Sequence, residues 1–203
     1  MNSYLTLWTN IRGTVRDVID NKTIAISLVY IALGGIGSAL SGLRDSGFNN
    51  SISVWLVLLL AIVLTPIIMI ICHFIYTGII YLVGKLFKGT GGFFDVFKAL
   101  SVSYIPYVLL IPIFLIWFLV DPSSVVATTD DLTISTSAII GLIIVMIFGI
   151  YCLVIQIIAV SEAHQFGIWR AIGTIFIPLI LFTIIIFVII AILFVAVLGF
   201  FVS

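Results

Sequence analysis

The chain has 203 residues, of which 64% are apolar and only 8% are charged. Eight Lys and Arg residues balance eight Asp and Glu residues, so the formal net charge is zero. Soluble domains contain about 45–50% apolar and about 25% charged residues, and this composition therefore excludes a water-soluble fold, an intrinsically disordered chain and a nucleic-acid-binding protein. Most of the protein surface must face lipid.

The amino-terminal segment, residues 1–22, predicts a short amphipathic helix at the membrane surface. Trp8, Ile11, Val15 and Ile19 recur every three to four positions, which places them on one helix face, and the charged residues lie off this face. Helices of this kind lie in the membrane interface with the apolar face in lipid. We therefore assign residues 1–22 to a cytoplasmic amphipathic segment that precedes the first span.

Five apolar runs are long enough to cross a bilayer, which requires about 20 residues per helix. The polar breaks between these runs are too short for a separate domain, and no run alternates as a membrane β-strand does. The sequence predicts an all-α fold, a single polytopic membrane bundle over residues 1–203 with five transmembrane helices. The predicted spans are residues 23–43, 53–84, 101–120, 135–160 and 171–202.

The basic residues predict the orientation of the bundle. Seven of the eight Lys and Arg residues fall on one side of the alternating topology, and only Arg44 falls on the other. Short loops rich in Lys and Arg stay in the cytoplasm. We therefore expect the amino terminus inside and the carboxyl terminus outside.

A second amphipathic segment precedes the third span. It follows a glycine-rich turn at residues 89–92, and it places Phe93, Phe94, Phe97 and Leu100 on one face. Asp95 and a lysine take the other face. We expect this segment to lie at the interface, so that the third span begins only at residue 101.

Small residues recur at four-residue spacing in the first span, at Gly34, Ser38 and Gly42. Such stripes let membrane helices approach closely. Packing within the bundle is the expected use, and a contact with a second copy of the chain or with another protein is the alternative.

A histidine and a glutamine lie inside apolar runs. The length of the second run places His73 near the inner headgroups, where a hydrogen-bonded interfacial residue is expected, and a proton relay or a metal ligand is the alternative. Gln156 is expected to bond to another helix, since that is the usual role of an amide in a membrane span. The alternative is that both line a path, which would make the protein a small transporter, a channel or a lipid-moving protein.

Glu162, His164 and Arg170 lie close together in the chain before the fifth span. They could form a ligand or catalytic site, but metal sites usually require three or more converging ligands, and the chain carries none of the common catalytic motifs. We therefore expect no catalytic residue, no metal ion and no cofactor, and we predict that the protein is not an enzyme.

Several short motifs occur in a fixed order: LWTNIR at residues 7–12, GTGGFF at 89–94, SVSYIP at 101–106, SEAHQFG at 161–167 and WRA at 169–171. In this order and spacing the chain resembles the Yip1-domain family of five-span membrane proteins, the bacterial branch in particular. Asn10 stands where the family pattern has a proline.

The resemblance implies a membrane adaptor that binds or organises other membrane proteins, and some bacterial members are linked with ABC-type exporters and antimicrobial-peptide defence. We predict a non-enzymatic accessory protein of a bacterial plasma membrane. Its expected partners are membrane lipid and another membrane protein such as an exporter subunit, and association of several copies of the chain is an alternative. The expected partner-contact residues on the inner face are Trp8, Arg12, Lys85, Lys88, Gly91, Gly92, Phe93, Tyr104, Pro106, Glu162, His164 and Arg170.

Overall fold

The computed structural model describes residues 6–43, 53–120 and 136–202, and every regular element within these ranges is helical. This confirms the predicted all-α fold with five helices long and apolar enough to cross a membrane. Arg44, the single basic residue assigned to the outer side, lies outside the described residues. The five candidate spans are Ile24–Leu43, Trp55–Leu86, Phe93–Val120, Ile139–His164 and Ile168–Phe194.

The described chain is helical almost throughout, because a chain in lipid must satisfy its backbone hydrogen bonds within each segment. A 3₁₀ turn at Val102–Tyr104 joins the helix Phe93–Ser101 to the helix Ile105–Val108. In chain order the helices are α1 (Ile11–Asn21), α2 (Ile24–Leu43), α3 (Val54–Leu86), α4 (Phe93–Ser101), α5 (Ile105–Val108), α6 (Leu110–Val120), α7 (Thr136–His164) and α8 (Ile168–Val202).

Helix α1 begins at a capping asparagine, since the side chain of Asn10 accepts a hydrogen bond from the backbone N–H of Gly13 at 2.9 Å. Asparagine is among the best residues at this position. The apolar side of α1 carries Thr14, Val15 and Val18, which are buried against α7 and neighbouring helices. The helix is amphipathic as predicted, but its apolar face is covered by protein rather than by lipid.

Helix α4 lies inside the bundle, which corrects the prediction of an interfacial segment at residues 93–100. Val96, Ala99 and Leu100 are 0–1% exposed, and α4 packs against α2, α3 and α7. The third span therefore begins at Phe93 instead of residue 101. Of the face that the sequence pattern assigned to lipid, Phe97 and Leu100 are buried against other helices and Phe93 is half-buried, whereas Phe94 is exposed.

The fourth span extends past its predicted end. Helix α7 continues from Val160 to His164, and Gln165 then adopts the left-handed conformation with φ 54°. A left-handed residue directly after a helix is a common way to end it. The polar residues at 161–164 thus belong to a helix, and the connection to α8 shrinks to three residues, 165–167.

Glycines set the close approach of α2 to the third span. A Cβ on Gly34 would collide with the carbonyl oxygen of Tyr104, and one on Gly37 would collide with the carbonyl oxygen of Tyr107. Gly42 has no atom of the described residues within 4 Å of such a Cβ. The tight contact within the bundle is therefore made by Gly34 and Gly37, and not by the whole predicted stripe.

Helix α8 packs against the bundle only near its start. Ala171, Thr174 and Ile175 are buried there, against α3 and α7. Every side chain at residues 179–194 is exposed. This part of α8, which we call distal α8, stands apart from the other described helices, and in a membrane it would be surrounded by lipid.

Candidate functional site

One end of the bundle gathers most of the described charged and polar side chains. It is the end where α3 and α7 terminate, where α4 and α8 begin, and where α1 packs alongside. We call it the polar end. It contains the turn at residues 89–92 and the last turn of α7 at residues 161–164.

An ion pair joins α1 to α7 across the polar end. The Nε atom of Arg16 donates to Oε2 of Glu162 at 2.5 Å, and Nε of Arg12 lies 3.6 Å from Oε1. The Glu162 side chain is only 6% exposed, whereas those of Arg12 and Arg16 are 57% and 70% exposed. A carboxylate is costly to bury unless it is paired, so the two arginines are what allows Glu162 to lie inside.

The contact with Glu162 also changes the pKa of Arg16. The hydrogen bond to Glu162, followed by its negative charge, raises the pKa of the Arg16 guanidinium above its usual value. The sequence did not single out Arg16, although its position one helical turn after Arg12 was an available signal. Arg170, which the sequence offered with Glu162 and His164 as a possible site, is exposed at the start of α8, and Arg12 and Arg16 hold the carboxylate instead.

His164 is fully buried between two glycines and an aromatic ring. Its ring stacks on Phe166 with centroids 5.2 Å apart. A Cβ on Gly84 would collide with Nε2, and a Cβ on Gly89 would collide with Nδ1. Only glycine fits at these two positions. Gly89 belongs to the glycine-rich turn that the sequence pattern indicated, whereas Gly84 had no such signal.

The turn after α3 closes over the end of α7. The backbone N–H of Thr90 donates to the carbonyl oxygen of His164 at 3.0 Å, and the Thr90 hydroxyl donates to the same oxygen at 3.3 Å. Gly91 lies so close to the carbonyl of Ala163 that a Cβ would collide with it. These contacts fix a glycine-rich segment that the sequence alone would treat as flexible.

Lys98 of α4 holds the carboxyl-terminal end of α1 against the bundle. The ammonium of Lys98 donates to the carbonyl oxygens of Ile19 and Lys22. Both carbonyls lie at the carboxyl-terminal end of α1, where a helix leaves its last carbonyls unpaired and favours positive charge. With the pair at Glu162, this contact holds α1 at both ends.

A cavity of about 720 Å³ opens between α1, the turn at residues 89–92 and the end of α7. Arg12, Arg16 and Asp20 line it from α1, and Asp95 lines it from the first turn of α4. Glu162 forms part of its wall between these groups. The cavity is therefore polar and carries both signs of charge.

The predicted partner-contact residues divide into three groups. Arg12, Gly91 and Glu162 line the cavity. Lys85, Lys88, Gly92 and Arg170 are exposed and do not line it. Trp8 is 48% exposed, and its ring stacks on that of Tyr151 with centroids 5.0 Å apart. Those that lie inside the bundle or partly so are Phe93, Tyr104, Pro106 and His164, and Ser38 of the predicted packing stripe is half-buried.

His73 and Gln156, the histidine and the glutamine inside the spans, both have partners on other helices. His73 is 1% exposed, and its Nε2 lies 3.1 Å from the carbonyl oxygen of Phe97. Gln156 accepts a hydrogen bond from the hydroxyl of Tyr76 at 3.2 Å, which confirms the expected bond to another helix. His73 is hydrogen-bonded as expected, but it is enclosed by helices rather than exposed to headgroups.

The described residues contain no group of three or more His, Cys, Asp or Glu side chains that could hold a metal ion.

The five apolar helices define a multi-pass integral membrane protein. The sequence model of the Yip1 domain matches residues 5–190, nearly the whole chain, and the chain belongs to the Yip1 domain family. No curated protein and no solved structure matches the chain.

Proposed function

We propose that the protein is a non-enzymatic membrane accessory protein that binds another membrane protein through its polar end. The observation that carries this proposal is the set of exposed aromatic and basic side chains around a closely packed framework. Trp169 is 85% exposed and Trp8 48% exposed, and Lys88 and Arg170 are exposed at the same end of the bundle. Tryptophan and arginine are the residues most enriched among the strong contributors to protein interfaces.

The framework beneath these side chains favours binding because it is formed before a partner arrives. The Glu162 ion pair, the Lys98 contacts and the enclosed ring of His164 hold four helices and a turn in one arrangement. A surface that is already ordered loses less conformational freedom on association, so more of the contact free energy appears as affinity.

The polar end is proposed to face the cytoplasm, because seven of the eight Lys and Arg residues of the chain lie in its helices and connections and such residues are retained on the cytoplasmic side. We propose a bacterial plasma membrane because the motifs resemble those of the bacterial branch of the family. The more specific proposal, a role with an ABC-type exporter subunit in antimicrobial-peptide defence, rests on the family resemblance alone.

The test is recovery of a partner from native membranes in mild detergent with matched tryptophan variants. Trp169→Ala removes an exposed ring at the polar end, and Trp55→Ala removes one that is 61% exposed near the start of α3. We expect one membrane protein to co-purify in constant ratio with the wild type and with Trp55→Ala, and about tenfold less with Trp169→Ala, since a strong interface residue contributes about 1.4 kcal/mol or more. Purification of the chain alone, or equal recovery with both variants, would refute the proposal.

A further inference from the structure

The two arginines at the polar end have more hydrogen-bond donors than Glu162 can accept. Arg12 and Arg16 approach Glu162 through their Nε atoms. Two guanidiniums carry about ten N–H donors, whereas one carboxylate accepts about four hydrogen bonds. Since both arginine side chains are more than half exposed, a set of donors is left to face the opening, and paired guanidiniums match the oxygens of a phosphate.

Acidic side chains line the same cavity, which argues against a simple anion as its ligand. Asp20 follows Arg16 by one helical turn, and Asp95 stands at the start of α4. With Glu162 the lining carries three negative and two positive side chains. A lone anion would meet the aspartates and a lone cation would meet the guanidiniums, whereas a ligand that carries both charges finds a partner for each.

The position of the cavity indicates where such a ligand comes from. One candidate span ends at His164 and the next begins at Ile168, and both ends border the cavity. The ends of spanning helices lie at the level of the lipid headgroups. Ile19, Phe166 and Ile168 add an apolar border, which suits the glycerol and the first methylene groups of a lipid.

We propose that this cavity binds a phosphoethanolamine headgroup, with its phosphate on Arg12 and Arg16 and its ammonium between Asp20 and Asp95. Its volume of about 720 Å³ is in the range of small-molecule sites, about 300–1,000 Å³. The proposal goes beyond the proposed function, because it concerns a ligand of the isolated chain and requires no partner protein.

The test uses the full-length chain, stripped of lipid in a non-ionic detergent and titrated with short-chain lipids, with bound lipid counted by native mass spectrometry. Phosphatidylethanolamine should bind at least tenfold more tightly than phosphatidylglycerol, which lacks the ammonium. It should also bind more tightly than phosphatidylcholine, whose methylated nitrogen donates no hydrogen bonds. Equal binding of the three lipids, or no binding, would overturn the proposal.

Variants of the protein test the proposed ammonium site and the proposed phosphate site one at a time. Asp20→Asn with Asp95→Asn removes two charges but keeps an oxygen that can accept from the N–H of Gly92, as Asp95 does at 3.0 Å. This variant should lose the preference for phosphatidylethanolamine over phosphatidylglycerol, and Asp17→Asn, on α1 but outside the cavity lining, should keep it. Retention of the preference by the double variant would refute the ammonium site.

The phosphate half is tested by Arg12→Gln with Arg16→Gln, which should weaken binding of every phospholipid at least tenfold. The unfolding temperature without lipid shows whether this arginine variant is folded. If the arginine variant does not fold, the aspartate variant still tests the proposal through the ammonium site. Free phosphoethanolamine provides the last arm. Competition at the same concentration as the lipid would support the free compound as the source of the headgroup, and competition only at much higher concentration would support the lipid.

Discussion

The polar end and distal α8 are built from different residues and are packed in opposite ways. At the polar end, side chains from α1, α4 and α7 meet through an ion pair, lysine-to-carbonyl contacts and a histidine enclosed by glycines. Along distal α8, residues 179–194, every side chain is exposed, and nearly all are branched or aromatic and apolar. The more hydrophobic region is the one with fewer contacts.

This difference shows what holds a membrane protein together. Lipid is as apolar as isoleucine, so apolar side chains gain little from leaving lipid for another helix. Close approach at small residues and hydrogen bonds between helices supply the specificity instead. At the polar end, Gly84 and Gly89 allow the close approach, and Thr90 makes the hydrogen bond to His164. Distal α8 makes neither kind of contact with the described helices.

The largest expected difference in the free energy of unfolding is between the substitution of a buried isoleucine and that of an exposed one. Ile80 is 0% exposed and Ile190 is 59% exposed. Ile80→Ala leaves a cavity and should lower the free energy of unfolding by about 2 kcal/mol or more. Ile190→Ala should change it by less than about 0.5 kcal/mol. Reversible unfolding in mixed micelles measures both, and similar losses would show that distal α8 packs against the bundle after all.

The next effect concerns the glycines around His164. Gly84→Ala places a methyl group against a ring that cannot move, because Gly89 and Phe166 enclose its other sides. Overpacking of this kind costs about 1–3 kcal/mol. Gly78 lies in the same helix, and a Cβ there meets no atom of the described residues within 4 Å, so Gly78→Ala should be neutral or slightly stabilising. Equal destabilisation by the two variants would contradict the close contact.

The smallest effect comes from the ion pair. Glu162→Gln leaves Arg12 and Arg16 without their shared counter-charge and should lower the unfolding temperature, but by less than Gly84→Ala does, because both arginines reach solvent that screens them. The control is Asp17→Asn, since Asp17 lies 3.9 Å from Lys22 in a partly exposed pair, a longer and therefore weaker contact than the one of 2.5 Å between Arg16 and Glu162. An unchanged unfolding temperature for Glu162→Gln would show that the pair does not hold α1 in place.

The sequence predicts the fold well and the site only in part, for a physical reason. Hydropathy over about 20 residues identifies each span, because lipid acts on every helix separately. It does not show that α4 is buried, nor that Glu162 pairs with Arg16, 146 residues away in the chain. Those contacts depend on how helices meet, and their only traces in the sequence are single residues such as Gly84 and Lys98.

The central claim, that the polar end is the surface for a partner, is tested most directly by photo-crosslinking at two positions of α8 in native membranes. Trp169 and Phe187 are both exposed aromatic residues, 85% and 72%, one at the polar end and one in distal α8. A photo-reactive phenylalanine analogue at position 169 should give an adduct with one defined membrane protein, and at position 187 it should give lipid adducts only. A protein adduct at 187 with none at 169 would contradict the account.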